Sequence, residues 1–158
     1  MNWDEFATRC PEIAAIARPR FEKDELVLVG TIRRDGSPRI SPNEVDFGLG
    51  RLFLGMMWQS RKASDLGRDP RLVVHSVPTD RMNPGGDVKL YGRAVNERDS
   101  SVRIAFEDAI EARIDWRPPE PYHLFSVDVE SAAYIVFGES GHAMAWDPEG
   151  GLRRRDVH

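Results

Sequence analysis

The sequence predicts a mainly β fold with flanking helices, in which an antiparallel sheet closes into a barrel. Three observations carry that expectation. Strand-type runs recur along most of the chain, from LVLVGTI at 26–32 to AAYIVFG at 132–138. The links between several of them are short and built from turn residues such as Asp35-Gly36, which makes neighbouring strands antiparallel. Helical signals are confined to three segments that separate or precede strands.

The elements follow in order. Residues 1–24 form an N-terminal helical segment, with a helix beginning near Pro11 that places Ile13, Ile16 and Ala17 on one face. Pro19 is expected to end or kink it. Leu26–Ile32 is a continuous β-type run, expected to be buried on both faces. Asp35-Gly36 turns it into a returning strand, Pro38–Phe47, interrupted by Pro42. A proline there marks an edge, a bulge or backbone required elsewhere. Gly48–Gly50 turns into a third strand, Arg51–Met57, where Gly55 marks a position at which a side chain is unwelcome.

A short helix follows, with Ser60 as N-cap, Arg61–Leu66 as its body, Gly67 as breaker and Pro70 closing the exit. Arg71–Val77 is a fourth strand, residues 78–87 a loop, and Val88–Asn96 an alternating strand. Asp99 caps a helix in which Val102, Phe106, Ala109, Ile110 and Ile114 keep helical spacing. YHLFSVDVE and AAYIVFG read as two further strands, and GHAMAWDPEGG as a last hairpin arm. Residues 148–158 read as a tail in which Arg153–Arg155 is solvated. With no repeat and no composition break, residues 1–158 form a single domain.

Composition narrows the function. At 158 residues, with 41% apolar and 30% charged residues, the chain can bury a core unaided. No apolar run approaches the roughly 20 residues that span a bilayer. The acidic, mixed start MNWDEFATRC is unlike a secretory leader, and Cys10 is the sole cysteine, so the expected location is cytoplasmic. A net charge of −4 gives nucleic-acid binding no electrostatic support. Residues 31–71 nevertheless hold eight Arg/Lys against five Asp/Glu, a local +3 that leaves −7 elsewhere. A basic segment in an acidic protein suits a small anionic ligand.

The sharpest local anomaly lies in WQSRKASDLGRDPRL, at 58–72, where Arg61 and Lys62 open the helix. A helix start already carries partial positive charge and unpaired N–H groups, so acids are the residues expected there. A basic pair at such a place is ordinarily solvated. Here Ser60 adds a hydroxyl, Gly55 lies on the incoming strand and Pro42 interrupts the neighbouring one. Together they describe an anchor for a phosphate-bearing ligand beside an open surface.

The run LVLVGTIRRDGSPRISPNEVDFGLGRLFLGMMWQSRKASDLGRDPRLVVHSV, followed by GDVKLYGRA, resembles the core of the pyridoxamine 5′-phosphate oxidase-like proteins, the FMN-binding split-barrel group. The likeness covers residues 26 to 96, and its most specific part is the ordered set of strand, D-G turn, SP strand and SRKA…L…DPR. It implies an antiparallel split β-barrel that forms a homodimer, with flavin mononucleotide (FMN) bound across the subunit interface. By position, Arg61 and Lys62 would hold the cofactor phosphate with Ser60 nearby. Ser41, Pro42, Asn43 and Glu44 would line the cofactor from the second strand, and Gly55 and Met56 from the third.

The sequence departs from that pattern in four places. The phosphate-binding arginine of the second strand appears as Ser41, and a cofactor-contacting glutamine as Asp87. The oxidases' substrate-binding lysine appears as Asp46, and their Arg-Leu-His element near the C-terminus is missing. A related branch uses the deazaflavin coenzyme F-420, whose phosphate the same basic pair would serve. The resemblance thus implies an oxidoreductase that moves a hydride between FMN, or alternatively F-420, and a small organic substrate. A non-catalytic FMN-binding dimer is the alternative outside enzymology. No catalytic residue and no metal ligand is assigned.

Other motifs read as structure. His75, His123, His142 and His158 are too scattered to hold zinc, and His75 and His123 suit strand positions with one hydrogen-bond partner each. GESGH, at 138–142, lacks nucleophile-elbow spacing and reads as a turn. GLGRLF lacks the third glycine of a dinucleotide fingerprint and opens a strand.

Overall fold

A computed structural model describes residues 1–78 and 83–157. Part of the loop expected at 78–87, and His158, lie outside the described residues. The chain runs α1 (Trp3–Arg9), α2 (Pro11–Asp24), β1 (Leu26–Ile32), β2 (Pro38–Glu44), β3 (Asp46–Gly48), β4 (Arg51–Met57), α3 (Arg61–Arg68), β5 (Arg71–Ser76), β6 (Asp87–Asn96), α4 (Ser100–Ile114), β7 (Tyr122–Val136), β8 (His142–Asp147) and β9 (Gly151–Asp156). The strands form one sheet in the order β2-β1-β5-β6-β7-β4-β3, with β8 and β9 added at β7, and the registered pairs are antiparallel.

One strand divides the sheet. On one edge β7 pairs with β6 along most of its length; on the other, Tyr122–Ser126 pairs with β4 and Ala132–Val136 with β8. The two strands expected at 122–130 and 132–138 are therefore continuous. A register shift opposite Tyr91 and Gly92 absorbs Glu130, so the polar break in the sequence is a bulge and not a turn.

β2, at one end of the sheet, meets β4, next to the other end, without a ladder. Asn43 bridges them, its Nδ2 donating to the Gly55 carbonyl at 3.1 Å and to its neighbour Glu44's carbonyl at 2.7 Å. The barrel is thus closed by a side chain, and the expected Pro38–Phe47 strand breaks at Val45 so that β3 can hairpin onto β4. That hairpin turns through Leu49 and Gly50, both at positive φ, as tight antiparallel turns require. Gly36, at φ +84°, does the same between β1 and β2.

Alternation fills the core. Val27, Val29 and Thr31 of β1 are buried, whereas Leu26 is exposed and Leu28 half-exposed, so β1 buries one face and not the two expected. α1 and α2 pack against β1, β4, β5, β6 and β7. α1 lies within the helical segment expected at 1–24, as a separate helix ahead of the one expected to begin near Pro11. Asn2 and Glu5 form a reciprocal capping box, and Trp3 and Phe6 carry the helix into an aromatic cluster with Phe47 and Trp146. Pro19 lies inside α2 without ending it. An interior proline costs about 3 kcal/mol, and buried Ile13, Ala14, Ala17 and Phe21 on both sides of it hold the helix in place. α4 is capped by Asp99, as expected, and lays Phe106 and Ile110 on Phe53, Tyr122 and Leu124, while Ile114 stays exposed.

The segment read as a solvated tail is β9, paired with β8 from Asp156 to Gly151. The β8 edge offers free main-chain partners, which is reason enough for a polar run to become a strand.

Candidate functional site

The site is built where β4 runs into α3. Gln59 takes a left-handed conformation, φ +56°, to turn the chain into the helix. Its N–H is held by His123 Nε2 at 3.2 Å, and the His123 ring stacks on Trp58 with centroids 4.6 Å apart. His123 is thus a strand residue with one hydrogen-bond partner at its ring, as expected, and the bond fixes its neutral tautomer with the proton on Nδ1. Burial, and then the charge of Arg103, lower its pKa below the usual histidine value. Protonated Nε2 cannot accept from Gln59. Trp58 fluorescence is therefore expected to titrate with a midpoint below the ordinary histidine value, and His123→Gln, which can accept but not titrate, should abolish the transition. A transition surviving in H123Q would remove His123 from this role.

Ser60 occupies the N-cap position of α3, but its hydroxyl caps nothing: Oγ is buried and has no hydrogen-bond partner. Behind it the amides of Arg61, Lys62 and Ala63 have no intrahelical acceptor. Arg61 is exposed. Lys62 is half-buried, and its Nζ donates to the Pro42 carbonyl at 2.7 Å. Burial pushes its pKa down, against the opposing charge of Glu44. α3 runs on through Gly67 to Arg68, one residue beyond the expected breaker, and Asp69 forms its C-cap.

Asp65 fixes this helix to the barrel. It is 4% exposed, accepts from Thr31 Oγ1 at 3.0 Å and from Arg39 Nε at 2.7 Å, and stands 3.5 Å from Arg68 Nη1. Burial would raise its pKa; the hydrogen bonds from Arg39 and Thr31, with the charges of Arg39 and Arg68, outweigh burial and hold it below the usual carboxylate range. Beside it opens a cleft of about 840 Å³ lined by Arg33, Arg34, Asp35, Arg39, Arg61, Ser64 and Asp65.

The structure therefore brings Pro42, Asn43, Glu44, Gly55, Ser60 and Lys62 together around the β2–β4 seam and the start of α3, with Arg61 on the adjoining cleft. Ser41 lies between Arg39 and Asn43 on one face of β2. A Cβ at Gly55 would meet nothing nearer than the Phe106 ring at 3.9 Å, so the protein itself does not require glycine there. Met56 points its side chain into the core, which leaves only its main chain for a ligand. Met57 and Trp58 are the exposed apolar residues at this strand end, Met57 at 78%.

Asp87 is not part of this cluster. It accepts from Asn83 Nδ2 at 2.7 Å and lines a separate groove of about 540 Å³ with Lys89, Tyr91 and Arg153–Arg155. Asp46 is paired with Arg113, which also holds Glu25 at 2.6 Å; burial raises the Asp46 pKa despite that partner.

The sequence reading missed Arg39, Asp65 and His123 as parts of the site. Only for Arg39 was a local signal present, because strand alternation in PRISPN puts Arg39, Ser41 and Asn43 on one face.

No family model and no curated protein sequence matches the chain. Solved structures do. One is a protein related to general stress protein 26 of B. subtilis (pyridoxinephosphate oxidase family) from Clostridium acetobutylicum. It is 17% identical with a TM-score of 0.65, over 92% of this chain and 96% of that one. PhzG from Burkholderia lata 383, solved with tetrahydrophenazine-1-carboxylic acid, is 10% identical with a TM-score of 0.65, over 95% and 93%. A heme binding protein from Mycobacterium smegmatis is 16% identical with a TM-score of 0.56, over 90% of this chain and 57% of that one. The fold is the antiparallel split barrel of the pyridoxamine 5′-phosphate oxidase family, as the sequence resemblance implied. No helix among the described residues is long and apolar enough to cross a membrane.

Proposed function

We propose that this protein is a flavin-dependent oxidoreductase that holds FMN by its phosphate at the start of α3 and serves a small organic substrate. The observation that supports this best is the Ser60–Arg61–Lys62 corner. A buried hydroxyl without a partner, three free helix amides, an exposed guanidinium and a half-buried ammonium suit a phosphate monoester. Arg39 lies two residues from Ser41 on the same face of β2 and lines the same cleft as Arg61, so it stands in for the cation missing at Ser41. Pro42, Asn43, Glu44, Gly55 and Met56 offer mainly backbone to the ring, and Met57 and Trp58 offer apolar surface that limits water. A bound flavin supplies the hydride chemistry itself, so the chain's task is to bind, orient and shield.

The test is equilibrium titration of the purified protein with FMN, riboflavin and F-420. FMN is expected to bind at micromolar levels or better, with riboflavin at least tenfold weaker for want of the phosphate. Equal binding of riboflavin would refute the anchor, and preference for F-420 would move the protein to the deazaflavin branch. Bound flavin with no turnover against any donor or acceptor would leave the non-catalytic dimer.

The homodimer is part of this reading. Opposite the core, Leu28, Val73, Tyr91, Ala133, Ile135 and Ala145 share a sheet face with His75, Asp87 and Lys89, away from the face that α1 and α2 cover. Uncovered apolar sheet of this kind marks an interaction surface. Ala145→Arg places a long cation on that face at a position exposed in the protomer. It is expected to convert the dimer to monomer in native mass spectrometry; an unchanged dimer would place the interface elsewhere.

A further inference from the structure

Three rings stand in a column beside the end of β4. Phe125 and His123 lie two residues apart on β7, and so on one face of it, with ring centroids 6.1 Å apart and planes 16° from parallel. Trp58 continues the column on His123, 4.6 Å away and 13° from parallel. The inner end is fixed, because Phe125 is 2% exposed. The outer end is open. Trp58 is 51% exposed with His123 against one face, so the other face of the indole meets solvent. The backbone beneath it is held as well. Ser60 N–H donates to the Met57 carbonyl at 3.1 Å across a turn whose corners are Trp58 and Gln59, and Gln59 N–H donates to His123 Nε2. An indole held in one plane with a flat side outward leaves a ligand little ordering to impose on it.

The strands set its place. The C-terminal half of β4 has the seam with β2 along one edge, where Asn43 reaches the Gly55 carbonyl, and β7 along the other, where Met56 pairs with His123. The flavin reading gives the seam to the cofactor ring. Trp58 stacks over β7, on the other side of β4, and stands two residues before Ser60 of the phosphate anchor. A ring laid on Trp58 therefore lies beside the seam and not in it.

We propose that Trp58 determines specificity at this site: its open face stacks the substrate, which is therefore a flat aromatic molecule and not an aliphatic one. Two flat rings in offset contact gain more than the apolar area they bury, whereas a puckered ring of the same carbon skeleton meets a flat indole at few atoms. This rests on the flavin reading above for the bound molecule's role as substrate, but not for the existence of the platform.

The probes are 2-naphthol and decahydro-2-naphthol, which share a carbon skeleton and a hydroxyl and differ in flatness. Calorimetric titration of the purified protein, with FMN added, is expected to give at least about tenfold tighter binding of 2-naphthol. Trp58→Ala should bring the two probes within about twofold of each other, and Trp58→Phe, which keeps a flat ring, should retain most of the difference. Trp58 is exposed in a turn, so both variants are expected to fold, which far-UV circular dichroism checks. FMN and riboflavin are titrated beside the probes, and their affinities are expected to change by less than about twofold in W58A. Equal binding of the two probes, or a preference that survives in W58A, overturns the proposal. A loss of riboflavin affinity in W58A as large as the loss for 2-naphthol also overturns it, since the flavin ring itself would then occupy the platform. A preference for 2-naphthol that depends on Trp58, in a protein that takes up no flavin, sustains the platform and overturns the flavin reading.

Discussion

Replacing Arg61 and Lys62 together by glutamine is expected to weaken FMN binding by at least 100-fold while leaving the fold intact. Hydrogen bonds to charged groups contribute about 1.5–3 kcal/mol each, so two lost together correspond to a factor of roughly 10² to 10⁴. Arg61 makes no ion pair among the described residues, so its loss removes nothing from the folded chain. Lys62 does bind the Pro42 carbonyl, and a glutamine amide retains a donor for it. Titration with FMN, beside a thermal melt of each flavin-free variant, separates ligand binding from folding. Because only the phosphate contacts are removed, riboflavin affinity should move little. An unchanged FMN affinity in the double variant would refute the anchor.

Asp65→Asn is expected to produce the largest loss of stability, about 3–5 kcal/mol by urea unfolding at neutral pH. Removing one member of a buried ion pair leaves its partner charge uncompensated, and such losses fall in that range. Here the stranded group is Arg39, with Arg68 at the rim, and α3 loses its tie to β1. This is a large share of the 5–15 kcal/mol typical of a domain. The pH dependence has a definite sign. The Asp65 pKa is lower in the folded chain than in the unfolded one. Its contribution is therefore complete above the unfolded carboxylate value of about 3.9 and disappears as pH falls through the folded value. The gap between wild type and D65N should narrow on acidification below about pH 4. A gap of the same size at neutral and acid pH would show that packing, and not charge, accounts for the effect.

The parts legible in the sequence are those written locally. Asp35-Gly36, the Asp99 cap and the start of α3 each announce themselves within a few residues. α1 carries its own capping box, yet a helix of seven residues is marginal alone; what holds it is Trp3 and Phe6 packing on Phe47 and Trp146, which only the fold brings near. LRRRD shows no alternating pattern, and becomes β9 because the β8 edge needs a partner. The site divides in the same way. Ser60, Arg61 and Lys62 break a local electrostatic rule and are visible for that reason. Asp65 meets Arg39 and Thr31 across 26 and 34 positions, and His123 reaches Gln59 across 64. No pattern within a window of the sequence could join them.

The Asn43 bridge has a consequence for evolution as well as for architecture. Apart from the Gly55, Glu44 and Pro42 carbonyls, which Asn43 and Lys62 hold, two neighbouring strands that share no ladder leave facing main-chain groups without a strand partner, and peptide groups are the same whatever residues bear them. A guest read mainly by backbone puts little pressure on side-chain identity. Such a slot tolerates wide divergence in side chains, and solved structures that share this fold are 10% and 21% identical to this chain.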